Sequence, residues 1–171
     1  MSAPEHQEIV STIVVQVTQE LFNAYDVHVQ QRGEPCQDDA DEILFAGVVG
    51  FTGRSMRGTL VFAPTRTLLE RSHPTLPCEF RDWAGELANQ LLGRIKNRLR
   101  AHGVDIYAST PVVLRGHYLA SVPRGEMSLR CFAASPGHLQ VWFDAELEEG
   151  VSLTRPAPAE DGPREGDTIL F

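Results

Sequence analysis

Apolar residues recur at helical spacing in two long stretches of this chain, and at strand-like spacing through much of the remainder. Between Cys78 and Gly103, the residues Phe80, Trp83, Ala84, Leu87, Ala88, Leu91, Ile95 and Leu99 fall on one side of a helix. Glu79 stands near its start, and Arg94, Lys96, Arg98 and Arg100 near its end, the charge order the helix macrodipole favours. Gly103 supplies a C-terminal stop. A second amphipathic helix is predicted over residues 5–25, with Ile9, Ile13, Val14, Val17, Leu21, Phe22 and Tyr25 on its apolar side. Its β-branched run Ile13-Val14-Val15 has weak helix propensity, so tertiary packing must hold it.

Residues 43–52 and 58–63 read as an antiparallel hairpin around Gly53-Arg54-Ser55. The alternation at 27–31 begins a strand, and further strands are predicted at 104–107, 112–114, 118–122, 127–134 and 139–143. Ser135-Pro136-Gly137-His138 is a turn joining the last two. Pro64 is predicted to open a short helix through Arg71, because Pro is favoured at a first helical position. His73-Pro74-Thr75-Leu76-Pro77 then forms a stiff connector, and the acidic stretch 33–42 forms a loop. Elements grouped rather than alternating predict an α+β fold: a single domain with a mostly antiparallel sheet of about six strands, covered by two long helices. From Glu146 onward Pro, Gly and acids accumulate. Residues 1–147 are therefore expected to form the domain, and 148–171 a flexible tail ending in Ile169-Leu170-Phe171.

The helix between Cys78 and Gly103 has an unusual polar side. At about 100° per residue, Asp82, Glu86, Asn89 and Gly93 fall in a stripe roughly 60° wide, nearly opposite the apolar centroid. A solvated helix face would explain any one of them, and Asp82 is accounted for by the dipole of a first turn. Gly93 fits that account badly, since a mid-helix glycine costs about 1 kcal/mol relative to alanine. Asn89 fits it little better, being a poor residue for a helix interior. No Ser, Cys or His stands on the stripe to act as a nucleophile, which argues against covalent catalysis. Two carboxylates on one convex face do not flank a cleft as glycoside hydrolysis requires. An amide, however, donates and accepts hydrogen bonds at once and can hold a water in one orientation.

Composition narrows the field further. With 171 residues, 42% hydrophobic and 22% charged, the chain suits one ordinary globular domain. A net charge of −8, with no massed basic arm, points away from nucleic acid. No apolar run approaches the roughly 20 residues of a membrane span, and no signal-peptide pattern opens the chain. Cys36, Cys78 and Cys131 are scattered and odd in number, as reduced thiols of a cytoplasmic protein would be. Neither they nor the six histidines have metal-ligand spacing.

The pattern Asp82-x3-Glu86-x2-Asn89, followed by Pro111 after a short strand, resembles the signature of the CheC/CheX/FliY family of chemotaxis phosphatases. Gly85-Glu86-Leu87-Ala88-Asn89, the glycine at Gly93, and Ser109-Thr110-Pro111-Val112-Val113 running to Gly116-His117 are similar to its CheX branch. The resemblance implies a phosphatase that accelerates hydrolysis of the aspartyl phosphate of a CheY-like response regulator, in chemotaxis or related two-component signalling. It implies that Glu86 pairs with the regulator's active-site lysine and Asn89 aligns the attacking water. Asp82 and Gly93 would border the site, and Pro111 would shape the strand behind the helix. The regulator would supply the Mg²⁺, so the chain needs no cofactor of its own. It further implies two long helices packed together across the sheet, with the motif facing away from it, and a homodimer joined through sheet edges. The alternative is a non-catalytic docking module that binds a response regulator or a flagellar-switch protein. A second ExxN, Glu20-Leu21-Phe22-Asn23, lacks the preceding acid, the glycine and the proline, and its Leu21 and Phe22 belong to the predicted core stripe.

Overall fold

The computed structural model describes residues 3–33, 43–75, 79–117, 119 and 128–153. Its elements run α1 (Ala3–Asn23), β1 (Gln30–Arg32), β2 (Leu44–Gly53), β3 (Met56–Pro64), α2 (Arg66–Ser72), α3 (Phe80–Arg100), β4 (Ile106–Ala108), β5 (Val112–Gly116), β6 (Ser128–Ala133) and β7 (His138–Leu147). Together they form the expected α+β domain. The sheet has seven strands, all neighbours antiparallel, in the order β1-β6-β7-β3-β2-β4. β5 also pairs with β2, Leu44–Val48 facing Gly116–Val112, while β4 takes Phe51–Gly53 of the same strand. β4 and β5 thus lie end to end along one edge. The break between them is bridged by Ser109, whose N–H donates to the Gly50 carbonyl at 2.8 Å and whose Oγ accepts from the Gly50 N–H at 3.0 Å.

α1 and α3 pack on each other, and α3 lies over β2, β3 and β5. The main core is the space they enclose with the sheet, filled by Val14, Val17, Leu21 and Phe22 from α1, Ala84, Leu87, Ala88, Leu91, Leu92, Ile95 and Leu99 from α3, and Val49, Leu60, Phe62 and Val141 from the sheet. A smaller cluster around Ala46, Ala63 and Trp142 occupies the other side. No helix among the described residues is long and apolar enough to cross a membrane.

The glycine stop of α3 has a specific geometry. Gly103 has φ +80° and its N–H bonds the Arg100 carbonyl, while the Val104 N–H reaches back to the Leu99 carbonyl at 3.1 Å. These are the paired bonds of a Schellman motif, closed by the buried side chains of Leu99 and Val104. Just beyond, Arg100 Nε donates to Asp105 Oδ1 at 3.0 Å, and that hydrogen bond holds the Asp105 carboxyl below the usual carboxylate range.

Several expectations need correcting. Pro64 does not open α2: it is the last residue of β3, paired with Leu139, and Thr65 caps the helix by accepting from the Leu68 N–H. Strand pairing to β7 takes priority over the N1 preference of proline. α1 ends at Asn23, so Tyr25 lies beyond it, and β3 and β7 run longer than predicted. The predicted strand at 118–122 falls mainly outside the described residues, as do most of the acidic loop and residues 154–171.

Residues just beyond 147 also contact the domain. The Glu148 N–H donates to the Ser55 carbonyl, Leu153 is buried within the main core, and the Leu153 N–H donates to His6 Nε2 at 3.4 Å. One leucine in a Pro/Gly-rich segment is too little periodicity to reveal a packed strap. Truncation after Glu149 should therefore cost about 1–2 kcal/mol, lowering the melting temperature by roughly 2–8 °C in a chain of this size. Leu153→Ala should reproduce most of that loss. A truncated chain that melts with the full-length protein would show that Leu153 contributes nothing.

Candidate functional site

α3 carries the stripe predicted from its sequence. Asp82, Glu86, Asn89 and Gly93 are all exposed, while Ala84, Gly85, Leu87, Ala88, Leu91 and Leu92 between them are buried. The helix stays fixed beneath its polar face because small residues let it sit close to the sheet. A Cβ at Gly47 of β2 would fall 2.7 Å from the Ala88 Cβ, and one at Gly85 would fall 3.3 Å from Val113 Cγ2. Gly85 therefore lets β5 approach the helix flank. This brings Pro111 and Val113 beside the stripe.

The result is a shallow open groove of about 440 Å³ lined by Arg81, Asp82, Gly85, Glu86, Asn89, Pro111 and Val113. Five of the seven come from α3, and two from the break and start of β5. Gly93 lies one turn beyond Asn89, and apart from its chain neighbours and the surrounding helix backbone no atom of the described residues stands within 4 Å of where its Cβ would be. It is bare surface, and it relieves no internal crowding. The structure thus brings Asp82, Glu86, Asn89 and Pro111 to one place and sets Gly93 next to it along the helix.

The polar groups differ in how they are held. Asp82 Oδ1 accepts from Arg81 Nε at 2.9 Å, a surface pair with both side chains largely in solvent, which adds little stability. Glu86 Oε1 accepts from Gln90 Nε2 at 2.9 Å, and Gln90 Oε1 accepts from Tyr25 Oη at 2.9 Å. The Asn89 amide has no hydrogen-bond partner among the described residues. It is the uncommitted donor and acceptor of the groove.

Arg81, Gly85, Val113, Gln90 and Tyr25 are absent from the sequence-based site. Gln90 carried a signal, since residues four apart on a helix are neighbours. Tyr25 carried none, because its approach to α3 depends on helix–helix packing. The second ExxN is spoken for: Glu20 Oε1 accepts from Arg98 Nη2 at 2.7 Å, and Asn23 Oδ1 lies 2.8 Å from His28 Nδ1. Those contacts tie α1 to α3 and to the segment after it.

No protein-family model matches this sequence, and no curated protein does. Solved structures do match its fold. The chemotaxis protein CheX from Vibrio vulnificus superposes with a TM-score of 0.68 at 18% identity, over 80% of this chain and 96% of that one. A CheC-like superfamily protein from Shewanella sp. PV-4 gives 0.68 at 19% identity, over 85% and 99%. CheX from Borrelia burgdorferi, in its complex with CheY, BeF3 and Mg²⁺, gives 0.56 at 12% identity, over 81% and 96%. An antiparallel sheet under two long packed helices, with the motif on the outer side of the second, is the architecture the resemblance implied. This chain has the fold of the CheX and CheC-like chemotaxis proteins.

Proposed function

We propose that this protein engages a phosphorylated CheY-like response regulator through the outer face of α3 and accelerates hydrolysis of its aspartyl phosphate. The observation that carries this reading is the exposed row Asp82, Glu86, Asn89 and Gly93 beside an open groove, with an amide at its centre that no described residue engages. Phosphoryl transfer depends mainly on positioning and charge neutralisation, so an oriented water is a sufficient contribution from this partner. Asn89, able to donate and accept together, fits that task. Glu86 supplies an exposed carboxylate for the regulator's lysine, one helical turn from Asn89, and Asp82 and Gly93 border the contact. Gly93 lets the partner's backbone approach, and Pro111 with Val113 forms the groove wall. A related fold bound to CheY in the presence of BeF3 and Mg²⁺ supports the partner class.

Mg²⁺ belongs to the regulator in this reading, where it neutralises charge on the phosphoryl group. The two carboxylates of the groove are already engaged by Arg81 and Gln90, and no role for them as metal ligands is needed. The protein then works in the cytoplasm, where its regulator is found.

The decisive measurement follows phosphate loss from a panel of CheY-like regulators phosphorylated with acetyl phosphate, with and without this protein. Acceleration of at least one supports the enzyme. Binding to a BeF3-loaded regulator without any acceleration would instead make the chain a docking module.

We also propose a homodimer joined along β5. That edge carries exposed Val112 and Leu114, with Tyr107 exposed on neighbouring β4, whereas the opposite edge, β1, offers only Gln30, Gln31 and Arg32. Among the described residues β5 pairs only with β2, and pairing across a two-fold axis would use its other side and cover its apolar side chains. Sedimentation at micromolar concentration should give a dimer, and Val112→Lys with Leu114→Lys should give a monomer. A wild-type monomer would overturn this assembly.

A further inference from the structure

Glu86 is not a free side chain, and what holds it extends from α3 to the segment just after α1 and to the end of α2. Its Oε1 accepts from Gln90 Nε2, Gln90 Oε1 accepts from Tyr25 Oη, and the Tyr25 ring stands edge-on to Trp83 with centroids 5.1 Å apart. Trp83 is fixed in turn: its Nε1 donates to Ser72 Oγ of α2 at 3.0 Å, and the His73 ring stands edge-on to it at 4.9 Å. Ser72 Oγ donates to the Leu69 carbonyl. The direction of the chain is chemically determined. A carboxylate only accepts, so the Gln90 NH₂ must face Glu86, leaving its carbonyl oxygen for the Tyr25 hydroxyl.

We infer that Gln90, oriented by Tyr25, is a positioning residue that fixes the Glu86 carboxylate for the regulator's lysine. The inference rests on the function proposed above and adds a device to it. An exposed glutamate samples several rotamers and must lose that freedom on binding. Gln90 sits one turn further along α3, half-buried between the helices, and takes up part of that ordering before the partner arrives. The bond also leaves Glu86 Oε2 without a hydrogen-bond partner among the described residues and directed by a fixed neighbour. Neither Gln90 nor Tyr25 lines the groove, so their effect on a partner must pass through Glu86.

The test uses the full chain and three variants, Gln90→Met, Tyr25→Phe and Glu86→Ala. Gln90→Met keeps length and helix propensity while removing the amide. Tyr25→Phe keeps the ring against Trp83 and removes only the hydroxyl. Side-chain NMR couplings should show one dominant Glu86 rotamer in the wild type and averaging in Gln90→Met, with Tyr25→Phe between them. With a CheY-like regulator carrying BeF3 and Mg²⁺ as the probe, Gln90→Met should bind about threefold to tenfold more weakly. With the phosphorylated regulator KM should rise by that factor while kcat stays within about twofold, because Asn89 is untouched. Combined with Glu86→Ala, Gln90→Met should have no further effect.

Unchanged rotamer averaging in Gln90→Met, or wild-type binding while Glu86→Ala is impaired, overturns the positioning role and leaves the phosphatase reading intact. Additive losses in the double variant overturn it as well. If Glu86→Ala itself binds and dephosphorylates as wild type, the function proposed for this face fails, and the positioning role falls with it.

Discussion

Asn89→Ala is expected to leave a folded protein that still binds its phosphorylated regulator but has lost at least about tenfold of its acceleration of phosphate release, or 1.4 kcal/mol of transition-state stabilisation. The fold should survive because Asn89 is exposed and its amide bonds no described residue. Alanine is also the better helix former, so the melting temperature should hold or rise slightly. The catalytic loss follows from when the amide acts. A group that orients water contributes chiefly in the transition state, so removing it lowers kcat more than it weakens binding. Glu86→Ala should behave differently, weakening binding too, because the partner's lysine loses its counter-charge. Decay of the phosphorylated regulator, measured beside binding of its BeF3 form, separates the two. Equal rates for Asn89→Ala and wild type on a regulator that wild type accelerates would remove Asn89 from the mechanism.

Which side of α3 is exposed was legible in the sequence, because helical periodicity is local. Eight apolar positions between Phe80 and Leu99 fix the buried side of α3, and the polar side follows by subtraction. The exposure of Asp82, Glu86, Asn89 and Gly93 is therefore a consequence of pattern alone. The groove beside them is not. It depends on β5 lying against the helix flank, which depends on β4 and β5 sharing one edge of β2. Two short strand signals separated by Ser109-Thr110-Pro111 do not disclose that they pair with the same neighbour.

Other misses have the same origin. Trp83 reads as core by spacing, yet it is half-buried at the boundary, where its indole N–H reaches Ser72 and its ring meets Tyr25 and His73. An amphipathic ring commonly takes such a place, with its apolar body packed and its polar tip bonded. Tyr25 reads as the last residue of a helix stripe, whereas it lies past the end of α1 and points its hydroxyl at Gln90. Glu20 and Asn23 read as a weak second motif, and only tertiary contacts to Arg98 and His28 show where they are used. Contacts that helical periodicity does not encode decide all of these.

Two glycines make the relation between packing and function measurable, with opposite expected signs. Gly47→Val should destabilise the protein by about 3 kcal/mol, lowering the melting temperature by roughly 6–12 °C. A Cβ there would stand 2.7 Å from the Ala88 Cβ and 3.1 Å from the Ala84 carbonyl oxygen, so either the helix rises off β2 or the strand bends. Neither atom is the end of a flexible side chain, and the cost cannot be relieved by a rotamer change. Gly93→Ala should do the reverse. Its Cβ would meet nothing within 4 Å, so the substitution should stabilise by about 0.5–1 kcal/mol through helix propensity alone. The same methyl group would stand on the surface where the proposed partner approaches, and regulator binding should weaken although the protein is more stable. Thermal unfolding and regulator binding measured on both variants give the comparison. A Gly93→Ala protein that gains stability and binds unchanged would show that the bare spot on α3 is not part of the contact, and would confine the footprint to Asp82, Glu86 and Asn89.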